Sequence, residues 1–93
     1  MKLSAQEIEN RLMKLTDWKQ DGHAISRTYS FENYYQTIAF VNAIAWISHR
    51  EDHHPDLAVT YNTCRVDYST HSAGGLSEKD FHCAALVDAL FKP

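Results

Sequence analysis

The chain has 93 residues, a formal net charge of −3, and 44% hydrophobic and 12% aromatic residues. This composition excludes a disordered chain, and the length predicts one domain over residues 1–93 with a modest core, which favours oligomerisation. The acidic balance gives no electrostatic basis for direct nucleic-acid binding.

No segment has the character of a membrane span or a signal peptide. The longest apolar runs, AIAWI and CAALV, are far shorter than the ~20 residues that span a bilayer. The start, MKLSAQEIEN, lacks a signal peptide's apolar run. Cys64 and Cys83 form no CxxC motif. We therefore expect a cytoplasmic protein with free thiols and no membrane contact.

The first third of the chain predicts a helix followed by two strands. Ser4 and Glu7 have capping-box spacing, and apolar residues recur at helical spacing after them, which predicts a helix over residues 5–15. Asp21-Gly22 is a hairpin signal, and alternating residues follow it up to Phe31.

A long helix is predicted from Asn33 onward, ending before Pro55. Its expected apolar face is wide and comprises Tyr34, Ile38, Val41, Ala45 and Ser48, with Phe40, Ile44 and Ile47 adjoining. Trp46, like Trp18, is expected in the core.

The rest of the chain predicts a second hairpin and a last helix. Residues 57–70 alternate in two short runs around Asn62, and Gly74-Gly75 breaks the chain. Ser77 is the expected N-cap of the last helix, whose expected buried stripe is Cys83, Leu86, Val87 and Leu90. The order α-β-β-α-β-β-α, with hairpins dictating antiparallel pairing, predicts an α+β fold with helices on one face of the sheet.

The stretch HREDHHPD, residues 49–56, holds three of the six histidines. If residues 62–63 form the hairpin turn, Tyr61 faces Cys64, and the same register places His54 opposite His71. Opposed residues have Cβ atoms about 4.5–5.5 Å apart. A longer turn would shift this pairing, but both histidines would still meet at the open end of the hairpin.

Convergent imidazoles suit proton transfer, because an unperturbed histidine titrates near pH 6.5. Metal binding is the rival chemistry, since His49 and His53 would share a face if the helix ran that far. However, the chain has no HExxH or CxxC motif and no carboxylate that completes a known site. We therefore predict no metal site.

Other candidate residues have structural interpretations. His23, His82 and His49 are typical of solvated side chains. Asp80 lies three residues after Ser77, so it is interpreted first as a capping-box partner and second as a site residue.

Together these residues resemble the signature of the pterin-4a-carbinolamine dehydratases. The spacing that carries the resemblance is that of His49, His53, His54, Pro55, Tyr61, His71 and Asp80, together with the segment STHSAGGLSEKD. The resemblance extends over nearly the whole chain in length and element order, although its specific motifs lie in the C-terminal half.

The resemblance implies a four-stranded antiparallel sheet with three helices on one face, and a homodimer or homotetramer. The implied reaction is dehydration of 4a-hydroxytetrahydropterin to quinonoid dihydropterin, which recycles the tetrahydropterin cofactor of aromatic amino-acid hydroxylases. No metal or organic cofactor is implied. A hydroxylase is a possible partner.

The resemblance also implies the site residues. His53, His54, His71 and Asp80 match the catalytic group, with His54 and His71 as the proton-transfer pair, His53 positioning the pterin and assisting as base, and Asp80 orienting an imidazole. The implied pterin-binding residues are Asp52, His53, His54, Pro55, Ser69, Thr70, His71 and Ser72. Many members carry an acidic residue in place of His49, a charge that Glu51 or Asp52 could supply.

Two alternative functions stay open on the sequence. One is a non-catalytic interaction module, because some animal members act as dimerisation cofactors of a homeodomain transcription factor. The other is a dehydratase-like protein of another pterin pathway, such as molybdopterin metabolism. The three intact histidines favour catalysis, since an interaction surface has no need of them.

Overall fold

The computed structural model describes residues 1–91, which form one four-stranded antiparallel sheet and three α-helices. The helices are α1 (Ala5–Leu12), α2 (Tyr34–Glu51) and α3 (Glu78–Leu90), and the strands are β1 (Lys19–Asp21), β2 (Ala24–Ser30), β3 (Asp56–Val59) and β4 (Thr63–Tyr68). This order confirms the predicted α-β-β-α-β-β-α arrangement and the α+β class.

The sheet has the order β1-β2-β4-β3, so the two longer strands lie at its centre. β2 pairs with β4 from Ile25 opposite Tyr68 to Ser30 opposite Thr63. Ile25, Tyr29 and Tyr68 are buried, whereas Thr28 on the intervening side is exposed. The alternation seen in the sequence therefore gives one core face and one open face.

The β3–β4 register differs from the predicted one. Val59 pairs with Cys64, so residues 61–62 form the turn. The Thr63 N–H donates to the Thr60 hydroxyl at 3.0 Å, which closes the turn one residue earlier than expected. The predicted pairing of His54 with His71 is wrong, because β3 begins only at Asp56, after a proline that has no N–H to donate. Both histidines lie just beyond the paired residues.

α2 begins and ends at well-defined caps. The Asn33 side chain accepts the Gln36 N–H at 2.9 Å, as the predicted start requires. The helix ends at Glu51, and its C-cap Asp52 has a left-handed φ of 52° and ψ of 43° and donates its N–H to the Ser48 carbonyl. The His53 N–H donates to the same carbonyl at 3.2 Å, so the chain turns away sharply before Pro55.

The apolar face of α2 is narrower than the sequence suggested. Phe40, Ile44 and Ile47 are buried, but Tyr34 and Ala45 are exposed. Trp46, predicted to be in the core, is 74% exposed. Apolar residues surround this helix almost completely, so spacing alone did not identify the face that packs.

The other two helices carry the predicted capping boxes at Ser4 and Ser77. α1 stops at Leu12 instead of residue 15, because the Lys14 and Leu15 N–H groups form tight bonds to carbonyls three residues back. In α3 the buried stripe ends at Val87, and Leu90, expected to be buried, is 42% exposed.

A polar cluster fastens the C-terminal part of α3 to the sheet. Asp88 Oδ1 accepts from Trp18 Nε1 at 3.0 Å, from Arg27 Nη1 at 2.8 Å and from the Tyr29 hydroxyl. Trp18 is buried, as predicted. This cluster joins the loop before β1, strand β2 and α3 around one carboxylate.

Both cysteines are free and buried, in line with the expectation of free thiols. In residues 1–91, no helix has the length and apolar character needed to cross a membrane.

Candidate active site

A cavity of about 220 Å³ lies beside the open end of the β3–β4 hairpin. Its lining consists of Asp52, His53, His54, Asp56, Asp67, Ser69, Thr70, His71, Ser72 and Lys79. Three histidines from two separate segments therefore meet at one cavity, although His54 and His71 are not cross-strand partners. Of the predicted site residues, only Pro55 and Asp80 do not line it.

Tight backbone turns hold both histidine-bearing segments. The left-handed Asp52 brings residues 52–54 to the cavity from the end of α2. After β4, the N–H groups of Thr70 and Gly75 each donate to the other's carbonyl, which closes a small loop around a short 3₁₀ turn at His71–Ala73. Gly74 has a φ of 73° and donates its N–H to the His71 carbonyl at 3.0 Å. The backbone of His71 is thus fixed before any ligand binds.

His53 is the most constrained of the three histidines. Its Nε2 lies 2.7 Å from Asp80 Oδ1, and its side chain is only 11% exposed. Its ring also lies nearly parallel to the Tyr68 ring, with centroids 5.6 Å apart and 17° between the planes. Because Nε2 donates to the carboxylate, Nδ1 is the nitrogen that can accept a proton.

Asp80 is fully buried and accepts hydrogen bonds at both oxygens. Oδ2 accepts from the Thr70 hydroxyl at 2.8 Å and from the Ser77 N–H at 2.9 Å, while Oδ1 faces His53. The interpretation of Asp80 as a capping-box partner is confirmed. The same carboxylate also contacts an imidazole, so the two interpretations are compatible.

His54 and His71 are exposed at the cavity, in contrast to His53. Among residues 1–91, neither the His54 nor the His71 side chain forms a hydrogen bond with another protein group. Both imidazoles are therefore available to a ligand in the cavity.

Three lining residues were missed by the sequence analysis: Asp56, Asp67 and Lys79. Asp56 is the cross-strand partner of Asp67. Arg65 Nε donates to Asp67 at 2.9 Å. A turn predicted at residues 61–62 would have placed Asp56 opposite Asp67. Lys79 was passed over because it lies between the two capping residues of α3.

Two further ionisable groups, Tyr68 and Cys83, are buried near Asp80 and are neutral near pH 7. Burial raises the pKa of the Tyr68 phenol. Burial, with a smaller contribution from nearby carboxylates, raises the pKa of the Cys83 thiol to about 11. The phenol and the thiol are thus unsuited to exchanging protons near neutral pH.

His49 takes no part in the cavity lining. It is exposed on α2, with its ring 6.0 Å from that of Trp46. Because the helix ends at Glu51, His49 and His53 do not share a helical face, which removes the geometry considered for a metal site. Among residues 1–91, no three His, Cys, Asp or Glu side chains are grouped so that they could hold a metal ion.

The sequence profile described as "Pterin 4 alpha carbinolamine dehydratase" matches residues 1–90. The chain belongs to this family. Similar proteins provisionally named pterin-4-alpha-carbinolamine dehydratase occur in Nitrosospira multiformis and Nitrosomonas europaea. The first is 59% identical over 97% of this chain and 80% of its own length. The second is 63% identical over the same shares of the two chains.

Two solved structures resemble this member of the pterin carbinolamine dehydratase family. A transcriptional coactivator/pterin dehydratase from Brucella melitensis has a TM-score of 0.93 and 28% identity, over 97% of this chain and 98% of its own. A pterin dehydratase-like protein, described as a RuBisCO assembly factor in the alpha-carboxysome, has a TM-score of 0.70 and 26% identity, over 80% and 88%. The family fold therefore occurs in proteins described as a dehydratase and in proteins described by other roles.

Proposed function

We propose that this protein dehydrates a 4a-hydroxytetrahydropterin to the quinonoid dihydropterin by histidine acid–base catalysis. The observation that carries the proposal is the meeting of His53, His54 and His71 at one cavity, with His53 held by the buried Asp80. The family supports the pterin substrate.

The reaction requires two proton transfers and no redox change. A base removes the N5 proton, the N5–H electron pair forms the C4a=N5 double bond, and the C4a–O bond breaks. Hydroxide is a poor leaving group, so an acid protonates the C4a oxygen as it departs as water. Such assistance is typically worth about 10²–10⁴-fold in rate.

His54 and His71 are proposed as the proton-transfer pair, because both are exposed at the cavity. His53 positions the pterin and assists as base through Nδ1, since its Nε2 is engaged by Asp80. Asp80 orients this imidazole and stabilises its charged form after it accepts a proton.

The remaining lining suits the pyrimidine edge of a pterin, which presents the N–H donors of its 2-amino group and N3. Asp52, Asp56 and Asp67 supply carboxylate acceptors, and Ser69 and Ser72 add hydroxyls. The cavity is smaller than the roughly 300–1,000 Å³ of pockets for drug-sized ligands, which favours a compact bicyclic ring. Pro55 is proposed to fix the direction of the His53–His54 segment without contacting the pterin.

In this proposal the product returns to the tetrahydropterin cofactor of an aromatic amino-acid hydroxylase in the cytoplasm, and the enzyme is a homodimer or homotetramer. A pathway that uses another pterin, such as molybdopterin metabolism, would require the same dehydration chemistry.

An interaction module is the second candidate, favoured by the exposed aromatic side chains of α2. Tyr35 is 82% exposed and Trp46 is 74% exposed. In that case the histidines would be dispensable, and substitutions at Trp46 would abolish function. Size-exclusion chromatography with a candidate partner tests this alternative, and failure to form a complex at micromolar concentration would count against it.

Stopped-flow absorbance of 4a-hydroxytetrahydropterin dehydration tests the catalytic proposal. His54→Ala and His71→Ala are compared with His23→Ala, a matched control in the exposed β1–β2 turn. We expect rate losses of about 10²-fold in the first two and no loss in the control. An EDTA-treated sample should retain full activity. Equal rates in all three variants, or dehydration by the intact protein no faster than in buffer, would overturn the proposal.

A further inference from the structure

The Tyr68 ring stacks on the His53 imidazole with an offset. Tyr68 is the last residue of β4, its side chain points into the core, and it is fully buried. The separation of 5.6 Å and the angle of 17° between the two rings are those of an aromatic pair in stacking contact.

The Tyr68 ring is itself fixed from behind. The Trp18 ring lies 6.2 Å from it, and Trp18 Nε1 donates to Asp88 at 3.0 Å. Asp88 is in turn held by Arg27 at 2.8 Å. The Tyr68 ring therefore connects His53, through Trp18, to the polar cluster around Asp88 that joins α3 to the sheet.

The hydroxyl of Tyr68 does not explain the presence of this side chain. It is buried, and burial raises its pKa more than the Ser48 side chain lowers it, but no hydrogen bond of normal geometry reaches the hydroxyl from residues 1–91. A buried hydroxyl without a partner is destabilising, so the favourable contacts of this residue are those of its ring, with Trp18 and His53.

Asp80 and Tyr68 constrain His53 in complementary ways. The hydrogen bond to Asp80 fixes the position of Nε2 but leaves the ring free to turn about the line that joins the two atoms. The stacked ring of Tyr68 removes that freedom, because it fixes the plane of the imidazole. Together the two contacts give Nδ1 a single direction.

We infer that Tyr68 is a positioning residue for His53, which uses its ring and not its hydroxyl to hold Nδ1 toward the reacting pterin. This inference rests on the proposed function for its effect on catalysis. Its structural part, the orientation of His53 by a stacked ring, is testable without any assay of activity.

Three variants separate ring, hydroxyl and general stability. Tyr68→Phe keeps the ring, and Tyr68→Leu removes it while keeping an apolar side chain. Phe40→Leu is the matched control: Phe40 is also buried in aromatic contacts, with the rings of Tyr29, Phe31 and Phe91, but its ring does not stack on His53. Tyr68→Met replaces the leucine variant if that variant does not fold.

We expect Tyr68→Phe to keep kcat, KM and the pH profile and to unfold at an equal or higher temperature. Tyr68→Leu should lower kcat about three- to tenfold with little change in KM, as expected from the loss of one aromatic pair. Phe40→Leu should lower Tm without changing kcat. An equal loss of kcat in Phe40→Leu and Tyr68→Leu, or no loss in Tyr68→Leu, would overturn the inference.

The NMR ring-proton shifts of His53 give the readout that does not depend on activity. They should carry the ring-current shift of a stacked aromatic in the intact protein, Tyr68→Phe and Phe40→Leu, and lose it in Tyr68→Leu. Unchanged His53 shifts in Tyr68→Leu would contradict the stacking role. If the intact protein showed no dehydration but the shifts behaved as expected, the proposed function would fail while the positioning of His53 would stand.

Discussion

The His53 Nε2 and Asp80 Oδ1 atoms lie 2.7 Å apart, and the carboxylate that makes this contact also caps α3 through its second oxygen. The orientation of an imidazole at the cavity is thereby linked to the start of a helix. Because Asp80 is fully buried, water does not compete for either contact.

Asp80→Asn separates the charge of this residue from its shape. The amide can still accept at the helix cap, but it cannot stabilise a protonated His53, so we expect kcat to fall by about tenfold or more. Ser77→Ala is the comparison variant: it removes the hydroxyl that lies 2.8 Å from the Thr70 hydroxyl, lowers the unfolding free energy by about 1 kcal/mol, and keeps the His53–Asp80 contact. Steady-state kinetics and urea denaturation measure the two effects. A larger kcat loss in Ser77→Ala than in Asp80→Asn would contradict this account.

Asp52→Gly should stabilise the folded protein and weaken substrate binding. Asp52 is the one non-glycine residue with positive φ in residues 1–91, and it lines the cavity. Glycine adopts this conformation without strain, so we expect the unfolding free energy to rise by about 0.5–1 kcal/mol. The lost carboxylate should raise KM. Asp52→Asn, which tolerates the same backbone, is the control for charge alone. A glycine variant that is less stable than the intact protein would disprove the strain argument.

Asp88→Ala should be among the more destabilising single substitutions. It leaves the mostly buried Arg27 guanidinium, the Trp18 N–H and the Tyr29 hydroxyl without their shared acceptor. Since Asp88 is partly exposed, we expect a loss of about 2–3 kcal/mol in unfolding free energy. Arg65→Ala, which breaks ion pairs on the open sheet face with Asp21 and Asp67, should cost less than about 1 kcal/mol. Urea denaturation measures the loss of unfolding free energy in both variants. Equal losses would contradict the prediction.

The buried thiol of Cys83 predicts a loss of stability at alkaline pH. Burial raises its pKa from 9.0 to about 11. Between these values the unfolded chain releases the thiol proton while the folded chain retains it, so stability falls as pH rises. The contribution is fully present below about pH 9. Tm measured from pH 8 to 11 should therefore decline, and the decline should be shallower in Cys83→Ala. An identical slope in the two proteins would refute the assignment.

The sequence predicted the features that depend on local chemistry. The caps at Ser4, Asn33 and Ser77 each use a side chain that bonds to the nearby backbone, and such contacts are visible in a few consecutive letters. The meeting of His54 and His71 near one cavity also followed from the hairpin, since it depends on the order of the strands and not on an individual pair.

The predictions that were wrong concern positions where the sequence allows more than one local arrangement. Residues 61–62 form the turn because the Thr60 hydroxyl accepts from the Thr63 backbone, an option that the asparagine signal concealed. Trp46 is exposed because α2 offers apolar side chains on more than one face. The contact between Tyr68 and His53 joins a strand to a loop, and no spacing in the sequence encodes it.

The most direct test of the central claim compares the intact protein with the His54→Ala/His71→Ala double variant in single-turnover dehydration of 4a-hydroxytetrahydropterin at pH 7. Circular dichroism first establishes that both proteins are folded. The account predicts that the double variant is slower by about 10²-fold or more, because both exposed proton-transfer groups are gone. A folded double variant that dehydrates the substrate as fast as the intact protein would contradict the claim that these histidines are catalytic.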